Sequence, residues 1–457
     1  MRPGVPTRRR DDVVALGVLT LIVCASAMTS GAPRSLAIVS ALAVVVLVVL
    51  AGRRMPRRLA LMTIGMATAA IVLLPVTPAP RASVGQGLAI GGVFISLMSS
   101  VSLLVAVARR SRLFSSISAA LFRPDLVAPN VFVTGVAHLF PALLNIGGSV
   151  LLCEMTSATR KVDEEPPMAV LAVIHRGFLA ACCWSPIFGN MALILLVYPE
   201  LEWPDVAPYG LGLGLFASLV SLAVGPSVAS KTTAKRGGAG ALIRALLPLI
   251  GLMAVFLASS LLLHAVTGMP TAIVIVVQTP VYAFICHRLL AGDIRTAATE
   301  LVGDARRILP SVAPEALFFA AGGTMMMVLS GAIPPAAVAT IGGWVSGSAP
   351  LSILTLLGLA LAFSATGVHP FLAAVFLAHT LPPQMLGLAP LPHFATVLLA
   401  SALSFGSSPY TLLSLVVSRY SRRSPFALVY GLNGPFLAVS LGGGVLILWT
   451  IAALTGP

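Results

Sequence analysis

From Ala316 to Ser418 the chain carries no Lys, Arg, Asp or Glu. A soluble domain needs roughly 25% charged residues because its surface must face water. A charge-free stretch of this length cannot build a solvated surface, so it must fold against an apolar medium. The rest of the sequence makes the same case: of 457 residues, 58% are hydrophobic and 9% are charged. That composition excludes a soluble enzyme, a disulfide scaffold and a disordered chain. An all-α polytopic membrane protein is expected.

Lys and Arg number 28 against 14 Asp and Glu, a formal charge of +14. A nucleic-acid partner would need those cations gathered on one folded face. Here they come in bursts between apolar runs, at Arg8 to Arg10, Arg53 to Arg58, Arg109 to Arg112, Lys231 to Arg236 and Arg419 to Arg423. The positive-inside rule places such bursts in cytoplasmic loops. The bilayer is therefore the expected partner, and nucleic acid is not. Cys24, Cys153, Cys182, Cys183 and Cys286 all sit in apolar runs without metal-ligand spacing, so they read as packing residues, with no metal site and no cofactor. The apolar run Val13 to Met28 behind Arg8 to Arg10 reads as a retained first span, not a cleaved signal.

A spanning helix needs about 20 mainly apolar residues. That length picks out Val13–Thr29, Ser35–Ala51, Leu59–Val76 and Gly87–Ala108, then Val127–Thr156, Met168–Val197, Tyr209–Ala229, Leu242–Ala265 and Thr271–His287. Leu113–Phe122 is too short to cross and reads as an interfacial helix. Leu290 to Arg307 reads as a separate cytoplasmic connecting helix. Ala316–Gly331, Leu351–Leu381, Phe394–Ser418 and Pro425–Leu454 complete the set.

With the amino terminus inside, the first four spans return the chain to the cytoplasm at Arg109 and Arg110. If Val127–Thr156 crossed, Arg160 and Lys161 would lie outside and every later basic loop would invert. If it dips in and returns, Glu200, Glu202 and Asp205 fall outside while Lys231, Lys235 and Arg236 fall inside. Arg34 and Arg81 are then the external cations, and Arg176 lies within the membrane. The expected architecture is about 11 transmembrane helices plus two re-entrant hairpins.

The halves echo one another. Thr134-Gly135-Val136-Ala137-His138 precedes Trp184-Ser185-Pro186, as Thr366-Gly367-Val368-His369-Pro370 precedes Ser407-Ser408-Pro409. Order and spacing agree, and the charge pattern has the first copy entering from outside and the second from inside. The expected division is 1–82 as amino-terminal helices and 83–230 as a first inverted repeat, with hairpin 127–156 and broken helix 168–197. Linking helices follow over 231–310, and a second inverted repeat covers 311–457, with hairpin 351–382 and broken helix 393–418. Inverted repeats with discontinuous helices are a signature of secondary transporters, which hold substrate where the halves meet.

This plan resembles the ion transporter superfamily, which includes divalent-anion/sodium symporters and arsenite pumps. Its members have two inverted repeats, each with a re-entrant hairpin and a helix broken midway. The resemblance covers about 83–455 and is one of architecture. Where the symporters carry Ser-Asn-Thr triplets at the hairpin tips, this chain has Asn145 to Ser149 (N-I-G-G-S) and the two TGV elements. The resemblance implies a homodimer.

Non-helical backbone at membrane depth survives only where protein or a water-filled cavity satisfies it. Pro141, Pro186, Pro370 and Pro409 each remove a backbone donor, and Gly135, Gly147, Gly148, Gly367 and Gly406 permit bends. Half-helix amino termini suit an anion, and opposing carbonyls with hydroxyls and amides suit a small cation. The expected substrate or ion contacts are Thr134, Gly135, His138, Asn145, Ser149, Ser185, Asn190, Thr366, Gly367, His369, Ser407, Ser408 and Thr411. Arg176 is costly at this depth, so it either neutralises an anionic substrate, fixes a hairpin by binding carbonyls, or reaches the cytoplasmic interface. No Asp or Glu falls at mid-membrane, so the coupling ion is Na+, or H+ carried by His138 or His369.

The function expected is secondary active transport of a small anionic solute across the cytoplasmic (inner) membrane by alternating access. The alternatives are a channel or a membrane subunit of a larger transport complex, and an integral membrane enzyme. The last is disfavoured because the chain has no H-E-x-x-H motif, no paired Asp motif and no carboxylate facing the core.

Overall fold

The computed structural model describes residues 8–29, 35–123, 126–158, 167–225 and 238–455. Arg34, Arg160, Lys161, Lys231, Lys235 and Arg236, on which part of the sidedness argument rests, lie outside the described residues. The described residues form nineteen α-helices. Among the described residues, eight helical segments are long and apolar enough to cross a membrane: Arg57–Val76, Pro80–Arg110, Trp203–Val224, Ala239–Thr267, Thr271–Ala291, Ile294–Ala332, Gly434–Thr455 and Pro390–Ser421, the last interrupted midway. Shorter apolar helices accompany them. The chain is an all-α polytopic membrane protein.

In chain order the helices are α1 (Arg8–Thr29), α2 (Ser35–Ala51), α3 (Arg57–Leu73), α4 (Pro80–Arg110), α5 (Arg112–Leu121), α6 (Pro129–Leu144) and α7 (Ile146–Ala158). Then come α8 (Met168–Cys182), α9 (Gly189–Leu195), α10 (Trp203–Val224), α11 (Ala239–Thr267), α12 (Thr271–Ala291) and α13 (Ile294–Ala332). The last are α14 (Pro335–Val345), α15 (Ala349–Ala365), α16 (Pro370–Thr380), α17 (Pro390–Ser407), α18 (Leu412–Ser421) and α19 (Gly434–Thr455).

Two compact units divide the chain. One joins Met1–Val107 with His264–Thr340, and the other joins Ala108–Leu263 with Ile341–Pro457. This division follows packing and differs from the repeat boundaries read in the sequence.

In the first unit, α13 is the central helix, packing on α1, α2, α3 and α12. Its outer helices show apolar side chains to the surroundings, with Ile38, Leu42, Val45 and Val49 on α2 and Leu61, Ile64, Ile71 and Val72 on α3 exposed. Such a face is stable in lipid and a liability in water. The connecting helix and the following span expected from the sequence are one continuous helix of 39 residues, running through Pro310 and Pro314. Each proline removes one donor, which neighbouring helices can compensate in a packed membrane helix. Asp293 caps α13, accepting from the Thr296 amide at 2.8 Å. Hydrogen bonding from Thr296 holds its carboxyl below the usual carboxylate range. At the other end of the α12–α13 turn, buried His287 faces Glu300 Oε2 at 3.0 Å and Asp304 Oδ2 at 3.2 Å, and Asp304 also pairs with Arg307.

The second unit holds α5 to α10, most of α11, and α15 to α19. The short helix α5 is amphipathic, as expected, with Phe114, Ile117, Ala120 and Leu121 buried and Ser111 capping its first turn. Val127–Thr156 is two helices, α6 and α7, packed on each other across a break at Asn145. Leu351–Leu381 likewise contains α15 and α16, packed on each other across Thr366–His369. Met168–Val197 breaks between α8 and α9 at Cys183–Phe188, and 393–418 breaks between α17 and α18 at Ser408–Thr411. The last apolar run also departs from regular helix: Ala427–Leu432 is a π-helical turn, and α19 begins only after Asn433.

Candidate functional site

The candidate site is built from the four breaks of the second unit. At the first, Asn145 combines φ +51 with ψ −141, a positive-φ backbone outside the left-handed helical region and one that favours glycine. Its side-chain oxygen accepts from the Ile146 amide at 2.6 Å, and its Nδ2 donates to the Ile187 carbonyl at 3.3 Å. Ile187 belongs to the α8–α9 break, so one break is tied to the other. Ser185 closes the same link from the opposite side, donating to the Ala142 carbonyl at 2.6 Å. Ala142 lies in the last turn of α6, where helix carbonyls lack intrahelical donors.

The second half repeats this connection with different residues. Ser408, at the α17–α18 break, donates to the Ser364 carbonyl in the last turn of α15 at 3.2 Å. Ser364 in turn donates to the Ser404 carbonyl on α17 at 2.8 Å. In both halves the serine preceding the proline of a broken helix therefore holds the carboxyl-terminal turn of the first helix in the neighbouring pair. Thr411 caps α18, accepting from the Ser414 amide at 3.3 Å.

The two TGV elements differ in structure. Thr366-Gly367-Val368 ends α15 as a Schellman motif: the Val368 amide donates to Phe363 O and the Gly367 amide to Ser364 O, both at 3.1 Å. Gly367 sits at φ +89, where a side chain is disfavoured. Thr134 and Gly135, by contrast, lie inside α6, well before its break. The sequence match joins a helix interior to a helix terminus. The structural counterpart of Thr366 and Gly367 in the first half is the break at Asn145.

The histidines have distinct settings. His138 accepts at Nε2 from Trp184 Nε1 at 2.7 Å, which leaves Nδ1 to donate to Ser218 Oγ at 2.9 Å. Both ring nitrogens are thereby engaged. His369 caps α16, its Nδ1 accepting from the Phe371 amide at 3.3 Å, and packs edge-on against Phe371 and Phe405.

Arg176 is fully buried inside α8, 1% exposed, and bonded within the protein. Nε donates to Asn433 Oδ1 at 2.7 Å, Nη2 donates to the Leu432 carbonyl at 2.9 Å, and the Phe436 ring lies 5.2 Å from Cζ. The network has a direction. Because Asn433 Oδ1 accepts from Arg176, Asn433 Nδ2 donates to His175 Nδ1 at 3.3 Å. His175 Nε2 then donates to Ser414 Oγ at 3.3 Å, and Ser414 donates to the Ser408 carbonyl at 2.8 Å. Arg176 thus reaches the α17–α18 break through three side chains. Two further bonds join the halves: Asn190 Nδ2 donates to Ser401 Oγ at 2.9 Å, and the Tyr198 hydroxyl donates to His393 Nδ1 at 2.5 Å.

Of the residues expected from the sequence, Asn145, Ser185, Ser408 and Thr411 sit at breaks, and Asn190 one turn from one. Thr366 and Gly367 form the α15 terminus, with the Thr366 side chain exposed. Ser407 is half-buried and donates weakly to Ser404 O at 3.4 Å. Thr134 and Ser149 are buried within α6 and α7 with unpartnered hydroxyls, and Asn190 Oδ1 is likewise unpartnered. Sequence reasoning missed Ser364, Ser401, Ser414, Trp184 as a His138 partner, and above all Asn433. Asn433-Gly434-Pro435 is a breaker string within an apolar run, and this was the available signal. Among the described residues, no group of His, Cys, Asp and Glu could hold a metal ion.

These features define a polytopic membrane protein with two packed helix pairs and two broken helices joined through buried hydroxyls and amides. No protein-family model matches the sequence, and no curated protein does. Among solved structures it is similar to that of the Alcanivorax borkumensis YdaH transporter, described as having an unusual topology, with 17% identity over 79% of this chain and 85% of that chain and a TM-score of 0.47. A likeness at that level assigns neither family nor solute to this chain.

Proposed function

We propose that this protein is a secondary active transporter that moves a small anionic solute across the cytoplasmic membrane by alternating access, coupled to Na+ or H+. The observation that carries this reading is the matched pair Ser185–Ala142 and Ser408–Ser364. Each half places a broken helix against the break within a helix pair, and interrupted backbone at membrane depth is stable only where protein or a hydrated cavity satisfies it. Two such arrangements, one per half, are what an inverted-repeat carrier uses to present backbone dipoles to its cargo. The amino termini of α7, α16 and α18 offer amides to an anion. Buried oxygens of Ser, Thr and Asn offer lone pairs to a coupling cation. In this reading the helix pairs are re-entrant, the amino terminus is cytoplasmic, the halves are inverted, and the architecture is that of the ion transporter superfamily, including a homodimer.

The test is flux into proteoliposomes for Ser185→Ala and Ser408→Ala, with exposed Ser115→Ala as control. Each serine hydrogen bond contributes about 1 kcal/mol, so each site variant should lose roughly fivefold in transport rate at unchanged expression. Wild-type flux in both would overturn the proposal.

A further inference from the structure

His138 is held in one protonation pattern by its two partners. An indole N–H can only donate, so Trp184 Nε1, at 2.7 Å, places a bare lone pair on His138 Nε2. Ser218 gives its own proton to the Gly214 carbonyl at 3.0 Å, so toward Nδ1, 2.9 Å away, it can only accept. The neutral ring therefore carries its hydrogen on Nδ1, and its basic atom, Nε2, faces a partner that cannot reverse its role. His393 differs, because its Nδ1 meets the Tyr198 hydroxyl, which can accept as well as donate, so a proton there leaves the contact intact. Trp184 stands in the α8–α9 break beside Ser185, which bonds the Ala142 carbonyl at 2.6 Å. His138 and Ala142 are four residues apart on α6 and share one face. Two links thus run from one break to one helix face, and the Trp184 link is the one a proton can break. His138 is 9% exposed and Trp184 and Ser218 are half-buried, so the ring is not sealed off. The helices packed on α6 are α5, α7, α8 and α10. Their ionisable groups include Arg112, Glu154, His175, Arg176, Cys182 and Asp205, and none of these acts on the ring, whose setting is one of burial alone.

We propose that His138 Nε2 binds a proton and that this proton expels the Trp184 N–H, loosening the α8–α9 break from α6. The proton adds to the Nε2 lone pair and both ring nitrogens become donors. The positive ring keeps Ser218 as its acceptor but meets the indole donor to donor. One of the two links is lost, and the break shifts toward its freer arrangement. The inference rests on the transport reading for its purpose: the coupling ion is then the proton, and this break is where its binding is felt.

The test needs no solute, so its outcome is separate from any flux measurement. Purified full-length protein in detergent is followed by amide hydrogen exchange in a peptide covering Trp184 and Ser185, from about pH 8 to about pH 4, a span that brackets histidine titration. His138→Gln is the comparison at each pH, because its side-chain carbonyl can accept from Trp184 and its NH2 can donate to Ser218 without titrating. Wild type should match this variant at the alkaline end and exchange about fivefold faster at the acid end, the loss of one hydrogen bond. Trp184→Phe, which keeps a ring and removes the donor, should exchange faster than wild type at the alkaline end and equal it at the acid end. If His138→Gln does not fold, Trp184→Phe decides alone. Wild-type exchange that tracks His138→Gln at every pH, or a Trp184→Phe rate that stays above wild type throughout, would overturn the proposal. An acid step in a protein that shows no counterflow would instead count against the transport reading and leave the proton site standing.

Discussion

Replacing Asn433 with Leu is the sharpest perturbation of the second unit. The amide accepts from Arg176 Nε at 2.7 Å and donates toward His175 Nδ1 and the Leu428 carbonyl, both at 3.3 Å. Leu preserves the volume and removes every polar contact. Arg176 keeps the Leu432 carbonyl and the Phe436 face, so it loses one strong partner of two. A hydrogen bond to a charged group contributes about 1.5–3 kcal/mol. Losing one member of a fully charged buried pair costs about 3–5 kcal/mol, an upper bound because Asn is neutral. A cost of about 2–3 kcal/mol follows, or roughly 30- to 150-fold in the unfolding equilibrium. Membrane proteins of this size often unfold irreversibly, so the assay is the rate of unfolding in detergent at fixed temperature. The decisive form is a double-mutant cycle with Arg176→Met. With no charge left to satisfy, Asn433→Leu should then cost less than about 1 kcal/mol. Equal costs in both backgrounds would show that the two residues are uncoupled and would refute the account of Arg176.

In the first unit, a Cβ on Gly91 would stand 2.7 Å from the Ala320 Cα, whereas one on Gly65 meets nothing within 4 Å. Gly91→Ala should destabilise by about 1–3 kcal/mol through overpacking, and Gly65→Ala should be neutral or stabilising by up to about 1 kcal/mol; the reverse order in an unfolding assay would contradict the α4–α13 packing. Gly367→Ala has room, its nearest neighbour being Tyr410 at 3.8 Å, so its expected cost of about 1–2 kcal/mol is conformational and arises from φ +89. Gly367→Asn should cost less, and an Ala variant as stable as wild type would rule out the Schellman terminus.

Composition made the membrane legible, because the stretch from Ala316 to Ser418 has no charge with which to face water. Ser185 and Ser408 were legible too, since a proline after a serine in an apolar run marks lost backbone donors. The TGV match was informative at Gly367, where a positive φ demands glycine, and uninformative at Gly135, which is an ordinary helical position beside open space. Local sequence cannot separate those cases, because termination depends on whether the next residues can complete the Schellman bonds. The polar stretch Leu290 to Arg307 and the span Ala316–Gly331, separated in the sequence by their polarity, are one helix that runs through Pro310 and Pro314, since packing outweighs the two lost donors. The partner of Arg176 was out of reach: Asn433 lies 257 positions away, and nothing local to either residue names the other.

Counterflow tests the central claim most directly. Proteoliposomes are preloaded with one unlabelled small anion at high concentration and diluted into a trace of the same labelled anion, across a panel of organic and inorganic anions with and without sodium. A carrier exposes one site to each side in turn, so for its solute the label should rise transiently above equilibrium. The overshoot should shrink in Ser408→Ala. Passive flux to equilibrium without overshoot, as a channel gives, or no saturable flux of any anion, would contradict the account.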